Sequence, residues 1–77
     1  MISALVLSPL DARILRATDP SYERSPERVG ELAGCAPDVA LSALERLRVP
    51  GLVEDTGERP RRWLRTHQGD VALEHQS

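Results

Sequence analysis

Leu44 to Gly69 read LERLRVPGLVEDTGERPRRWLRTHQG. The stretch changes its period in the middle. Up to Leu47 the apolar residues follow helical spacing, with Ala40, Ala43, Leu44 and Leu47 recurring every three or four positions to make an inward face. Pro50 and Gly51 then stop the helix. Beyond them Leu52-Val53-Glu54 reads as a short strand, DTGERP as turn chemistry and RRWLRT as a second strand. Trp63 and Leu64 must point to opposite faces of that strand, and Trp63 is expected inward.

Upstream, two Ser-Pro pairs open two further helices. In SPLDARILRA, Ser8 suits an N-cap, Pro9 the first helical position, and Asp11 favours the helix dipole. Leu10, Ile14 and Ala17 recur at helical spacing, with Leu15 beside them. Thr18-Asp19-Pro20 ends this helix, because the residue before Pro avoids the α region. In SPERVGELAG, Ser25 caps, Pro26 opens, and Val29, Leu32 and Ala33 form the apolar stripe. Gly30 weakens the helix interior by about 1 kcal/mol relative to Ala, or permits close helix approach. Gly34 suits the residue after the helix end. Only GCA joins this helix to the next, which Pro37 and Asp38 open although Ala36 is a poor cap.

The expected architecture is mainly α with a small β-hairpin, in one domain over residues 1–77. Helices are expected at about 9–18, 26–34 and 37–48, and the hairpin at about 52–66. A short tail follows, with a last helical turn using Val71 and Leu73. Residues 4–7, ALVL, are either a short strand against the hairpin or an apolar arm for a second subunit. The ends, about 1–3 and 73–77, are expected to fray.

The chain has 77 residues, 40% of them apolar and 29% charged, which is globular composition. A chain this short buries only about 60–65% of its unfolded surface, so a second subunit would help its stability. The first ten residues, MISALVLSPL, carry neither a basic region nor a run long enough for a signal peptide or membrane span. The lone Cys35 cannot form an internal disulfide and suggests a reducing, cytoplasmic setting. It reads as a small hydrophobe in the turn between helices.

No catalytic constellation is visible. Asp11, Asp19 and Glu23 have no His or Ser partner in a hydrolytic arrangement. His67 and His75 lack the spacing and the company of a metal site, and no glycine loop cradles phosphate. The expectation is a non-enzyme without cofactor or metal.

Charge is distributed unevenly. Ten Lys or Arg face twelve Asp or Glu, and every one of the ten is Arg. Residues 59–65 carry +4 and the rest of the chain carries −6. A guanidinium is always charged and offers a fork of donors that fits phosphate oxygens. Arg59, Arg61 and Arg62, with Arg65 as a weaker member, are therefore candidate phosphate contacts. The plainer reading is a solvated hairpin paired with Glu54, Asp55 and Glu58. Arg24 and Arg28 flank Ser25 at a helix N-terminus, where free N–H groups and the dipole favour an anion. Tyr22 and Ser25 could add neutral hydrogen bonds, although Ser25 is first of all an N-cap.

From Ser8 to Gly69 the chain resembles the winged helix-turn-helix domain of bacterial and phage transcriptional regulators of the MarR and PadR kind. In that family a recognition helix ends in Leu, Gly follows four residues later, and LV begins the wing. Leu47, Gly51, Leu52 and Val53 match. Gly57, Arg59 to Arg62, Trp63, Thr66 and Gly69 match the basic wing, its aromatic strand and the Thr-x-x-Gly that follows.

The resemblance implies a transcriptional regulator that binds double-stranded DNA, with the third helix in the major groove and the wing along the adjacent minor groove or backbone. It places Asp38, Val39, Leu41, Ser42, Glu45 and Arg46 on the outward face of that helix. Arg46 suits guanine, Ser42 is permissive, Val39 or Leu41 suits a thymine methyl, and Glu45 could accept from cytosine N4. The implied DNA-binding set is Arg24, Ser25, Arg28, Ser42, Arg46, Arg59, Arg61 and Arg62. A homodimer is expected, because a single module this acidic binds DNA weakly. The alternative is a winged-helix protein-interaction module that does not touch DNA, favoured by the acidic, partly apolar face of the third helix.

Overall fold

Prolines and hydroxyls mark where each helix starts. In the computed structural model, which describes residues 7–75, α1 spans Pro9–Ala17. The Ser8 hydroxyl accepts the Asp11 N–H at 3.1 Å. α2 spans Pro26–Ala33, with Ser25 accepting from the Arg28 N–H at 3.1 Å. α3 spans Pro37–Arg48 with no side-chain cap from Ala36. β1 (Val53–Asp55) and β2 (Trp63–Arg65) pair antiparallel, Glu54 opposite Leu64. α4 (His67–Glu74) closes the described chain. Helices, hairpin and their order agree with the expected fold class. The apolar segment 4–7 lies outside the described residues except for Leu7, which is buried.

The core is aliphatic around one aromatic ring. Ile14 and Leu15 from α1, Val29 from α2, Leu44 from α3, Val53 from β1 and Trp63 from β2 are fully buried. Trp63 points inward, as expected. Thr18 is buried as well, its hydroxyl donating to the Leu15 carbonyl at the end of α1.

Two expectations are corrected. Leu32 was assigned to the inner stripe of α2, yet it is 46% exposed. The buried face of α2 is centred on Val29 and Gly30 instead. A side chain at Gly30 would collide with the Cys35 carbonyl oxygen, 2.7 Å from where its Cβ would stand. The bare backbone lets α2 turn that edge onto the chain entering α3, and Leu32 swings outward. The tail also differs. It forms an eight-residue helix rather than a single turn, with Ala72 and Leu73 against the core and Val71 37% exposed.

A feature not foreseen from sequence joins the first connection to the wing. Arg24 and Trp63 exchange backbone hydrogen bonds at 3.0 and 2.8 Å, which adds a one-residue third strand to the hairpin. The other end of β2 is fixed by Thr66. Its hydroxyl accepts from the Gly69 N–H at 3.1 Å and donates to the Gly51 carbonyl at 2.6 Å. Its N–H donates to the Leu52 carbonyl at 3.0 Å. This packs α4 so tightly that a Cβ at Gly69 would overlap the Leu52 carbonyl oxygen and lie 3.3 Å from Leu15 Cδ1. Gly69→Ala is therefore expected to cost about 1–3 kcal/mol by overpacking, read as a lower midpoint in urea unfolding at unchanged slope. A neutral result would show that α4 can shift without disturbing the core.

Candidate nucleic-acid interface

α3 and the wing present the surface on which the candidate residues were expected to converge. Along α3, Ala40, Ala43, Leu44 and Leu47 are buried, so the helix turns Asp38, Ser42 and Glu45 to solvent. Val39 is 39% exposed and Leu41 is partly buried. The outermost strip of α3 therefore holds one hydroxyl between two carboxylates. Arg46 is exposed but leans toward α1, where it donates to Asp11 Oδ1 at 2.7 Å.

The wing turn is built on Thr56. Its N–H donates to the Arg62 carbonyl at 3.0 Å, and its hydroxyl accepts from Arg62 N–H at 3.3 Å. That closes the loop and exposes Glu58, Arg59 and Pro60 at the tip. Adjacent residues in an extended segment face opposite ways, and Arg61 and Arg62 do so. Arg61 turns toward α3, donating to Glu45 Oε2 at 2.9 Å with Asp55 Oδ2 at 3.5 Å. Its guanidinium also lies over the Trp63 ring, 5.4 Å from the centroid, in cation–π range. Arg62 instead shares a small concavity with Glu23, Thr56 and Glu58, and Arg59 lines the concavities on both sides.

The remaining candidates are also drawn into local contacts. The Arg28 guanidinium pairs with Glu31 along α2 at 2.8 Å. The Arg24 side chain turns back to α1, donating to the Ala17 carbonyl at 2.9 Å, with Asp19 at 3.8 Å. Ser25 is engaged as the α2 cap. Arg65 is the most enclosed of the wing arginines. It donates to the Leu15 carbonyl at 3.0 Å and lies 2.7 Å from Asp70, and so serves the α1–α4 packing. Among the described residues, Arg59 and Arg62 alone of the eight candidates carry a guanidinium without an ion pair or hydrogen bond.

The structure thus brings Ser42, Glu45 and Arg61 together where α3 meets the wing. It leaves Arg59 and Arg62 free at the tip, and holds Arg24, Arg28 and Arg46 against other elements. Asp55, one of the carboxylates expected to pair with the hairpin arginines, does so: it is only 15% exposed in its side chain and holds Arg61 at 3.5 Å. Its link to Arg48 at the end of α3, at 3.8 Å, was not foreseen from sequence. Among the described residues no group of His, Cys, Asp or Glu could hold a metal ion, and no helix is long and apolar enough to cross a membrane.

No protein-family model matches this chain, and no curated protein sequence does. Solved structures do share its fold. BpsR of Bordetella bronchiseptica, whose DNA binding is regulated by 6-hydroxynicotinic acid, superposes with a TM-score of 0.78 at 18% identity, over 90% of this chain and 51% of its own. The MarR family transcriptional regulator SPO1453 from Silicibacter pomeroyi gives 0.75 at 17% identity, over 90% and 51%. Sso10a-2, a DNA-binding protein from Sulfolobus solfataricus, gives 0.70 at 24% identity, over 90% and 74%. The chain spans about half the length of the first two. The shared architecture is the winged helix.

The Glu45–Arg61 pair joins α3 to the wing across solvent-exposed side chains, 48% and 34% exposed. Exposed pairs of this kind couple by less than about 1 kcal/mol. A double-mutant cycle on Glu45→Gln and Arg61→Gln, measured by urea unfolding, should give a coupling below that limit. A larger value would mean that the pair clamps the wing and is not available for exchange.

Proposed function

We propose that this chain is a non-enzymatic, cytoplasmic DNA-binding module of a transcriptional regulator, acting as a homodimer. α3 enters the major groove of duplex DNA, and the wing follows the adjacent minor groove or backbone. The observation that supports this most directly is the pairing of a winged-helix architecture with two unpartnered guanidinium groups, Arg59 and Arg62, at the wing tip. A tip of this kind can lie along phosphates or insert into a narrow minor groove, where negative potential is enhanced.

The ion pairs at the other candidates are compatible with this reading where they are exposed. Arg46 holds the half-buried Asp11 at 2.7 Å and is the firmest of them, whereas Arg28 and Arg61 hold Glu31 and Glu45 at 2.8 and 2.9 Å on more exposed carboxylates. A phosphate can replace a carboxylate at such sites at small cost. On binding, Arg61 would leave Glu45 for the backbone, and Arg28 and Ser25 would meet it at the start of α2. Base readout by α3 falls to Ser42 and, once released from Asp11, to Arg46.

The exposed strip of α3 also supports a second reading, in which the domain binds protein rather than DNA. Asp38 and Glu45 repel phosphate, and Val39 and Leu41 add apolar surface suited to a protein partner.

Salt dependence separates the two. For a duplex of random sequence, log K should fall with log salt by about 0.9 per phosphate neutralised. Joint Arg59→Ala and Arg62→Ala should flatten that slope by up to about two units and weaken all sequences alike. Absence of duplex binding at low salt would decide against DNA, whereas double-variant binding equal to wild type would take the wing tip out of the interface.

Glu45→Gln should act in the opposite direction. It leaves Arg61 with only Asp55, at 3.5 Å, as a carboxylate partner and removes a negative charge from the α3 face, so duplex affinity should rise about threefold to tenfold. Anisotropy titration of a labelled duplex measures this. A fall in affinity would show that Glu45 contacts the DNA itself.

A further inference from the structure

We propose that the groove between α1 and α2 docks an acidic, amphipathic segment of a partner protein. Its cationic walls are Arg13, Arg16 and Arg24, and its apolar floor is formed by Leu32 with Ala17 and Ala33. This concavity of about 400 Å³ is lined by those six residues alone, and none of them is acidic. It is separate from α3 and the wing tip, and it stands whether or not the domain binds DNA.

Charge and chemistry identify the occupant. Three guanidinium groups share one concavity in a chain whose net charge is −2. Each offers five N–H donors, and few are used. Arg13 donates from Nε to the Ala33 carbonyl at 3.2 Å. Arg24 donates one Nη to the Ala17 carbonyl at 2.9 Å, and its carboxylate neighbour Asp19 lies at 3.8 Å, outside hydrogen-bond distance. Arg16 has no partner among the described residues. The backbone contacts hold Arg13 and Arg24 in place at the rim while leaving the rest of each fork open. An anionic ligand fills the donors left open.

Leu32 decides between a peptide and a phosphate backbone. It stands 46% exposed at a position where the helical pattern calls for core, since the buried face of α2 is centred on Val29 and Gly30. A single exposed Leu is unremarkable on a surface. In a concavity walled by arginines it is the wrong floor for a phosphate, which gains nothing from apolar contact. It suits a short segment that carries carboxylates on both sides of an apolar anchor, the helix-in-groove pattern with charges set around it.

The test uses the intact chain at low salt and three fluorescein-labelled probes. One is a short peptide of Glu and Asp interrupted by two Leu pairs. The second is the same peptide with Leu replaced by Ser, and the third is a duplex of random sequence. The Leu-bearing peptide should saturate at micromolar to about 100 μM concentrations, and the Ser peptide should bind at least about fivefold more weakly. Arg16→Glu and Leu32→Ser should each weaken the Leu-bearing peptide by about fivefold or more, while Leu32→Ser changes duplex affinity less than about twofold and Arg16→Glu lowers it less than it lowers the peptide's. Both side chains are exposed, so both variants should fold, which thermal melting by circular dichroism checks. Three results would overturn the proposal. The first is no saturation by the peptide. The second is equal binding of the two peptides, which leaves only general attraction between opposite charges. The third is loss of duplex rather than peptide affinity in Arg16→Glu, which assigns the groove to the nucleic-acid backbone.

Discussion

The wing stands where it does because of β2, a strand of only three residues. Trp63 has both backbone groups engaged by Arg24 and its side chain fully buried. Two residues later, Arg65 donates its N–H to the Asp19 carbonyl at 3.2 Å and its guanidinium to Leu15. Thr66 then ties to Leu52 and Gly51. Three of the four residues from Trp63 to Thr66 thus connect the hairpin to α1, to the α1–α2 connection and to the end of α3. An isolated two-stranded hairpin is marginal in water. These links, and the burial of one large ring, make this one a fixed projection. Among the described residues no protein group accepts from the buried Trp63 Nε1, and the ring contributes to the frame through its packing.

On this frame the electrostatics follow from composition. A chain with more acid than base places a carboxylate within reach of most of its arginines. Arg28, Arg46, Arg61 and Arg65 each find one within 3 Å. The resulting surface is not the single cationic face that the clustering in sequence suggested. It is a set of local ion pairs, some half-buried, with two free cations at the tip. Such a surface gains affinity for an anion mainly by exchange. Each exchange forfeits one intramolecular pair, so the net gain per contact is smaller than for an unpaired arginine. A dimer, which doubles the contacts on one duplex, is the direct remedy.

The fold was legible in the sequence because its determinants are local. Ser8, Ser25 and the prolines after them set the helix starts through hydrogen bonds three residues long. The change of period after Leu47 marked the wing. What escaped is non-local. The Arg24–Trp63 bridge joins residues with no strand pattern around the first of them. Arg46 reaches Asp11 and Arg61 reaches Glu45 across long separations that no periodicity encodes. Leu32 was misassigned because stripe counting gives every apolar position equal weight. The rotation of α2 was decided instead by the missing side chain at Gly30. The length of α4 was hidden in the same way, since its cap is Thr66 and its packing depends on Gly69, neither of which is apolar.

Arg24 belongs to both surfaces of the domain. Its backbone pairs with the wing strand, and its side chain walls the α1–α2 groove. Shared membership does not by itself couple them. Coupling requires that an occupant of one site favour a different arrangement at the other. The Arg24 guanidinium is already held by the Ala17 carbonyl, and its backbone by Trp63 from the opposite side. An anion entering the groove meets the open side of the fork and need not move the strand. The physical expectation is therefore two surfaces that operate independently: one that can exchange its ion pairs for phosphate, and one with an apolar floor that rewards a protein.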